Sequence, residues 1–356
     1  MNSDYIVSRD ERILVTGSNG FIGAKVVEKL IECGFTNIRC FVRPSSNLSH
    51  LQYRLSNLDA ETNVELVKGD LLSLDDCSAA AEGISIVYHL AAGMEKSFAG
   101  AFMNSALATR NLMDGFLQFG KPKRFVNVSS FAVYSNLTLK RGALLDETCP
   151  LEDAPQERFD PYGFGKLKQE ELVKEYGGKY ELPYVILRPG YVFGPGKREL
   201  SGRVGNKTFG LFVQVSGAQS LPLTFVDNCA AAIVLAGLRH GIDGEVFNVV
   251  DDELMTAREF LKAYRNKAKS LRSIRLPYFV GYTMSLLWEK YSSWSKKQLP
   301  PIVNRRRCSA EWKSQRYSNQ RLKERLGWKP RVPMNRAMDA FLSQFTSNGN
   351  DEPLKR

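Results

Sequence analysis

Tyr162 and Lys166 stand four residues apart in Tyr162-Gly163-Phe164-Gly165-Lys166, a spacing that puts a phenol and an ammonium on one face of a helix. Asp160 is a suitable N-cap and Pro161 a suitable first residue, so the pair falls in the first helical turns. A phenol with an ordinary pKa near ~10 is a poor base at neutral pH, and a neighbouring cation favours the phenolate and lowers that value. Tyr162 is thus the candidate proton carrier, with Lys166 tuning it. The spacing alone arises often by chance. Here it follows Val126-Asn127-Val128-Ser129-Ser130-Phe131-Ala132-Val133-Tyr134, a strand-like run that opens into a loop bearing Ser130, so a hydroxyl can join the other two groups.

A second constellation lies near the start. Thr16-Gly17-Ser18-Asn19-Gly20-Phe21-Ile22-Gly23 comes directly after the apolar run Arg12-Ile13-Leu14-Val15 and directly before a stretch with helical spacing. Gly17 and Gly20 let the backbone turn tightly and approach a pyrophosphate, and Gly23 lets the helix pack on the strand. The amides of Gly17 to Gly23 and the positive end of the helix dipole then face the phosphates of a dinucleotide. An acidic side chain at the end of the second strand would accept from a ribose 2′-hydroxyl. This chain has Phe41-Val42-Arg43-Pro44-Ser45-Ser46 there. Arg43 could pair with a 2′-phosphate, which favours NADP over NAD, or could face solvent and stack on adenine.

The elements that must hold these residues alternate. β-like runs at 12–15, 37–42, 64–67, 84–90, 124–128 and 184–187 are separated by helical patterns at 22–33, 75–82, 102–119 and 161–176. That order predicts an α/β fold, a doubly wound parallel sheet of Rossmann type with helices on both faces and a smaller C-terminal substrate lobe. We expect residues 1–188 to form the dinucleotide-binding part with the Ser, Tyr and Lys, and 189–346 to be mainly the substrate lobe, with elements returning to the core. The stretch after Arg188 is rich in Gly and Pro and reads as loop, with helices resuming at 228–238, 256–268 and 278–291. Residues 347–356 read as a flexible tail.

The glycine spacing G-x-x-G-x-x-G resembles the short-chain dehydrogenase/reductase superfamily. Within it, T-G-x-x-G-F-I-G resembles the extended branch, the NAD-dependent epimerase/dehydratase family, with features shared with 3β-hydroxysteroid dehydrogenases. Gly69-Asp70-Leu71, His89-Leu90-Ala91-Ala92, Tyr317 to Lys323 and Leu326-Gly327-Trp328-Lys329-Pro330 carry the likeness along the chain, from Arg12 to Phe341. It implies that Asp70 and Leu71 meet adenine, and that Leu90, Ala91 and Ala92 wall the ribose and phosphates. Lys166 would also bond the nicotinamide ribose, Ser130 would donate to the substrate oxygen, and Pro189, in Arg188-Pro189-Gly190, would close the cofactor pocket. One departure is Gly165, where many relatives carry Ser or Thr.

The resemblance also narrows the reaction. Dehydratases of this kind carry Asp-Glu beside the catalytic hydroxyl, and here Phe131-Ala132 stand instead, which disfavours elimination. Hydride transfer at a secondary alcohol or ketone remains, as reduction, oxidation or epimerisation. Arg198, Arg203 and Lys207 on the glycine-rich connection could clamp a diphosphate, so a nucleotide-sugar is the favoured substrate. Gly190-Tyr191, in a region where many sugar-nucleotide epimerases have Asn, and the Arg-Pro-Gly form favour instead a bulky apolar alcohol, as in steroid or dihydroflavonol reductases. A cofactor-sensing protein without turnover is the third reading, against which the intact Ser130, Tyr162 and Lys166 stand.

Composition excludes other classes. At 356 residues and 43% hydrophobic content the chain is long enough for a large core. Six scattered cysteines and three histidines, without metal-ligand spacing, predict reduced thiols and no metal site. The start, Met1 to Tyr5, has no secretory pattern, which points to the cytoplasm. Net charge is +11, but residues 258–331 hold 20 Lys/Arg against 4 Glu and no Asp, so this stretch is +16 and the rest −5. No nucleic-acid motif accompanies the charge. Basic residues, among them Lys269, precede an aromatic stretch from Tyr278 to Tyr291 too short to span a bilayer, a pattern of weak peripheral contact with the inner face of an anionic membrane. A solvated face is the plainer reading. A homodimer is also allowed.

Overall fold

A computed structural model describes residues 5–49, 51, 63–93, 95–208, 210–268, 271–296 and 298–345. The tail expected at 347–356, the first four residues, His50 and Lys269 lie outside the described residues.

The first strand β1 (Ile13–Thr16) is buried on both faces, runs into the glycine turn and is followed by α1 (Phe21–Glu32). Then come β2 (Asn37–Val42), β3 (Asn63–Lys68), α2 (Leu74–Ala81) and β4 (Ile86–His89). The long helix α3 is made of Phe98–Ala101, Phe102–Leu107 and Ala108–Phe119 end to end, the middle stretch wound as a π-helix. β5 (Arg124–Val128), β6 (Leu144–Leu145), α4 (Pro155–Arg158), α5 (Pro161–Tyr180), β7 (Tyr184–Pro189) and β8 (Tyr191–Phe193) follow. The rest comprises β9 (Asn206–Thr208), β10 (Leu211–Val215), β11 (Leu223–Phe225), α6 (Val226–Leu238), β12 (Val246–Val249), α7 (Ala257–Lys267) and β13 (Ser273–Leu276). α8 (Tyr278–Trp294), α9 (Arg305–Trp312), β14 (Arg316–Tyr317), α10 (Gln320–Leu326) and α11 (Met334–Ser343) complete it.

Seven parallel strands form the main sheet in the order β12-β7-β5-β4-β1-β2-β3. The Rossmann-type α/β fold expected from the alternation is thus present. Strand order reverses between β1 and β4, and the crevice at the carboxyl ends of those strands is where such sheets bind ligands. β4 and β5 are buried along their whole length because helices cover both faces, and they carry the buried polar side chains His89, Arg124 and Asn127 among apolar ones. The largest core cluster unites Val15, Val26 and Tyr88 with Phe247, Phe260 and Phe341, so the sheet and the C-terminal helices share one interior.

Residues 191–225, expected to be loop, contain four short strands. β8 pairs with β11, while β10 pairs with β9 and, in parallel, with β13. The glycines there are real turns, with Gly194, Gly196, Gly205, Gly210 and Gly217 all at positive φ. The strands between them are three to five residues long and three of the four take partners from distant sequence, so no local periodicity announces them.

Candidate active site

The glycine turn has the geometry that phosphate binding needs. Gly17 sits at φ +67°, and a Cβ there would lie 2.9 Å from the Ala91 nitrogen. A Cβ on Gly23 would come within 2.0 Å of the Gly17 carbonyl oxygen, so only glycine allows α1 to approach the strand so closely. Gly20 caps α1 without any side-chain hydrogen bond, and no acidic residue occupies the first turn. The free amides and positive dipole end of α1 are therefore available to an anion, and the cradle fits a dinucleotide. Ser18 is buried and its hydroxyl donates over a long 3.5 Å to the Phe41 carbonyl, which ties this turn to the end of β2. Asn19 lies beside it, and Phe21 and Ile22 are half-buried at the start of α1. Leu90, Ala91 and Ala92 follow β4 directly opposite. Asp70 is exposed after β3, its carboxylate accepting from the Leu72 amide at 3.0 Å, and Leu71 packs behind it.

The second group of residues meets one edge of this crevice. Asp160 caps α5, accepting from the Gly163 amide at 3.0 Å, with Pro161 in the first turn. The Ser130 hydroxyl accepts from the Ala132 amide at 3.1 Å and lies close enough to Tyr162 to act on its phenol. Burial pushes the Tyr162 phenol above its ordinary value, the Ser130 hydroxyl draws it back, and the Asp160 carboxylate adds to the rise. One turn on, the Lys166 amine is buried and donates to the Val128 carbonyl at 2.6 Å and to the Gln169 side-chain oxygen at 2.8 Å. Burial brings Lys166 down to about 7, and the Glu170 carboxylate pulls it back up. Two of its bonds are thus spent inside the protein, and a third N–H remains for a ligand.

Sequence reasoning missed what lies behind this lysine. Gln169 donates to the Thr109 hydroxyl at 2.7 Å, and Thr109 donates to the Ser105 carbonyl at 2.6 Å. With its one proton so used, Thr109 can only accept from His89 Nε2, 2.8 Å away, so His89 carries its proton on Nε2. His89 Nδ1 then accepts from Thr16 at 2.8 Å, and Thr16 accepts from the Ala91 amide at 3.3 Å. Burial, helped by the Lys166 charge, lowers His89 to about 3, so the ring is neutral. A single buried chain of hydrogen bonds therefore runs from the reacting end of the crevice to its phosphate end. Four elements supply it, and only Lys166 to Gln169, three apart on one helix, could have been read as a pair.

Two buried arginines brace the same residues. Arg158 donates to the carbonyls of Ala132 and, at 3.0 Å, Tyr134, and pairs with Asp160 at 2.8 Å, which locks the Ser130 loop onto the cap of α5. Arg188 grips Glu170 through two bonds of 2.9 and 2.6 Å and donates to the Tyr134 hydroxyl at 2.9 Å. Tyr134 passes its own proton to Asn248 at 2.7 Å. Pro189, next to Arg188, is buried at the end of β7. Gly165 has a physical reason as well. A Cβ there would lie 2.9 Å from the Ser105 hydroxyl and 3.0 Å from the Ala101 carbonyl, so the π-helical turn of α3 leaves no room for a larger residue.

Tyr317 packs 5.7 Å from the Phe131 ring, next to Ser130; burial raises its phenol, and the charge of the half-buried Arg203 nearby draws it back. Arg198 and Lys207 are exposed, Lys207 on β9, and no hydrogen bond or ion pair joins either to these residues among the described ones. Lys197, not singled out from the sequence, lies over the rings of Phe21 and Tyr191 at 5.8 and 5.1 Å. Residues 13–249 match the sequence profile of the family described as NAD dependent epimerase/dehydratase. The chain belongs to that family.

Members similar to it differ in substrate. An uncharacterized UDP-glucose epimerase of Bacillus subtilis is 29% identical over 67% of this chain and 76% of its own length. The mouse sterol-4-alpha-carboxylate 3-dehydrogenase is 23% identical over 95% of this chain and 92% of its own. Among solved structures, the Bacillus cereus UDP-glucuronic acid 4-epimerase, bound to its sugar nucleotide and NAD, superimposes with a TM-score of 0.70 at 22% identity, over 94% of this chain and 99% of that one. The family places the chain among NAD-dependent enzymes of the extended short-chain dehydrogenase type, epimerases and oxidoreductases. No described helix is long and apolar enough to cross a membrane.

Proposed function

We propose that the protein transfers a hydride at a ring carbon of a nucleotide-linked sugar, most readily C4, as an epimerase or a 4-reductase. The observation that carries this reading is the placement of Tyr162 in the first turn of α5 near Ser130, with the buried Lys166 one turn below it, at the edge of a phosphate cradle. A bound nicotinamide would supply or accept the hydride. Tyr162 gives or takes the proton at the substrate oxygen, Ser130 holds that oxygen by a hydrogen bond, and the third N–H of Lys166 would be left to hold the nicotinamide ribose. Asp70, Leu71, Leu90, Ala91, Ala92 and Pro189 line the cofactor. Arg203, beside Tyr317 and Phe131, is the cation best placed to meet the substrate diphosphate. The likeness to the sterol enzyme over nearly the whole chain supports a second reading, a bulky apolar alcohol.

Incubation with NAD or NADP and a panel of UDP-, GDP- and dTDP-sugars, followed by NMR of the products, tests the proposal. Inversion or reduction at one ring carbon is the expected result. Turnover of a sterol alcohol with every sugar untouched would overturn it.

The cofactor is proposed to be NADP before NAD. Thr16 pairs with Phe41, and Arg43 stands two residues beyond it, exposed, without an acidic partner among the described residues and beside the exposed Ser45. Arg43→Asp is expected to move the preference toward NAD by roughly tenfold or more, through loss of a charge-assisted contact and added repulsion. Fluorescence titrations with NADPH and NADH read this directly, and a wild type that already binds NADH more tightly refutes it. The working form is proposed as a cytoplasmic homodimer, with Phe102 and Met103 exposed on α3 as its apolar contacts. Weak, reversible contact with the inner face of an anionic membrane is part of the same reading.

A further inference from the structure

The C-terminal third carries an apolar face that no described residue covers. α8 packs inward through Gly281, Ser285 and Ser292, which are buried, and a Cβ on Gly281 would sit 2.8 Å from a Val215 methyl. Its opposite side is open: Phe279 is 70% exposed, Met284 54%, Leu287 61% and Trp294 78%. Leu287, Tyr291 and Trp294 recur at helical spacing, and Lys290, exposed, lies three and four residues from Leu287 and Trp294 on that same side. The segment after the helix returns against it, Trp288 and Ser292 donating to the carbonyls of Pro300 and Leu299, and adds the exposed Leu299, Ile302 and Val303.

Beside the root of this helix is a cationic basin. An open cavity of about 480 Å³ between α7 and β13 is lined by Arg258, Lys262, Arg265 and Arg275 with Gln214 and Ile274, and no carboxylate among the described residues takes part. Arg258, Lys262 and Arg265 follow at i, i+4 and i+7 of α7, one face of that helix. Arg265 bonds only the Ser273 hydroxyl, at 3.1 Å, and the other three have no acidic partner among the described residues. β13 carries Arg275 and the exposed Ile274 and enters α8 through Pro277, so basin and apolar face hang on the same short sheet.

We infer that the exposed face of α8, with the Arg258/Lys262/Arg265/Arg275 basin beside it, is the surface by which this protein lies on an anionic phospholipid bilayer. This rests on the membrane reading given above and assigns it a site. Apolar side chains on a helix that cannot span, flanked by unpaired cations, match acyl chains and lipid phosphates together. A second copy of the chain fits less well, because a two-fold contact through this region would bring its excess of positive charge against itself. Nucleic acid would meet the basin but leave Met284, Leu287 and Trp294 in water.

The test is co-sedimentation of the full-length protein with phosphatidylcholine vesicles, with and without about a third phosphatidylserine, at low and high salt. Expected is salt-sensitive recovery with the anionic vesicles, lowered roughly tenfold or more by Leu287→Ser with Trp294→Ser, and likewise by Arg258→Glu with Lys262→Glu. All four residues lie on the surface of α7 or α8, and unchanged thermal unfolding of each double variant confirms an intact fold. Brominated lipid should also quench the tryptophan emission of the wild type and much less that of Trp294→Phe. No recovery of the wild type with any vesicle overturns both the membrane reading and the surface. Recovery that neither double variant lowers, or quenching unaffected by Trp294→Phe, overturns the surface and leaves the membrane reading standing.

Discussion

Tyr162→Phe is expected to lower turnover by about 10²–10⁴ while changing cofactor affinity no more than a few fold, because the ring still packs but no proton can move. The hydroxyl removed is the one that Ser130 acts on, and no other described side chain bonds it, so the packing of α5 and the phosphate cradle should be untouched. The check is steady-state turnover of the sugar nucleotide that responds in the panel, beside a fluorescence titration with the reduced cofactor. Ser130→Ala should be milder, since a donor is lost but the proton carrier stays. Near-normal turnover in Tyr162→Phe would remove the phenol from the mechanism.

Glu170→Ala is expected to be the most destabilising of the substitutions considered, at about 3–5 kcal/mol. Both partners of the Glu170–Arg188 pair are at most 2% exposed, and Arg188 makes two bonds to this carboxylate and one to Tyr134. The ion pair raises Arg188 above its already high ordinary value, so the guanidinium would stay charged and lose its counterion in the interior. Glu170→Gln should cost less, because the amide oxygen can still accept one of the bonds. Denaturant unfolding of the three proteins decides, and a loss below about 1 kcal/mol for Glu170→Ala would show that water or another group reaches Arg188.

Where local chemistry declares itself, the sequence was a good guide to the fold. The glycine turn needs its three glycines for reasons of backbone approach, and β1, α1 and β2 follow in the expected order. The cap at Asp160 is visible in the residue type and in the proline behind it. By contrast, β8 to β11 owe most of their pairings to partners far along the chain, and the π-helical turn of α3 shows in no residue pattern. The brace at Arg158 is a further case, since a buried arginine four residues before the tyrosine looks like any surface cation until Ala132, Tyr134 and Asp160 close round it. Of the three cations assigned to the substrate, Arg203 alone is half-buried, with its charge felt by Tyr317, whereas β9 carries Lys207 to an exposed position and Arg198 faces solvent. Lys197, one residue away, turns inward over Phe21 instead.

The hydrogen-bond chain from Lys166 to Ala91 and the exposed Arg43 differ in how freely each can change over evolutionary time. Every side chain linking Lys166 to Thr16 is at most 2% exposed and answers to at least one other, so a substitution there strands a partner. Arg43 answers to none of them. Descendants of this chain can therefore drift between the two nicotinamide currencies at the rim, residue by residue, while inheriting the interior wiring as a block.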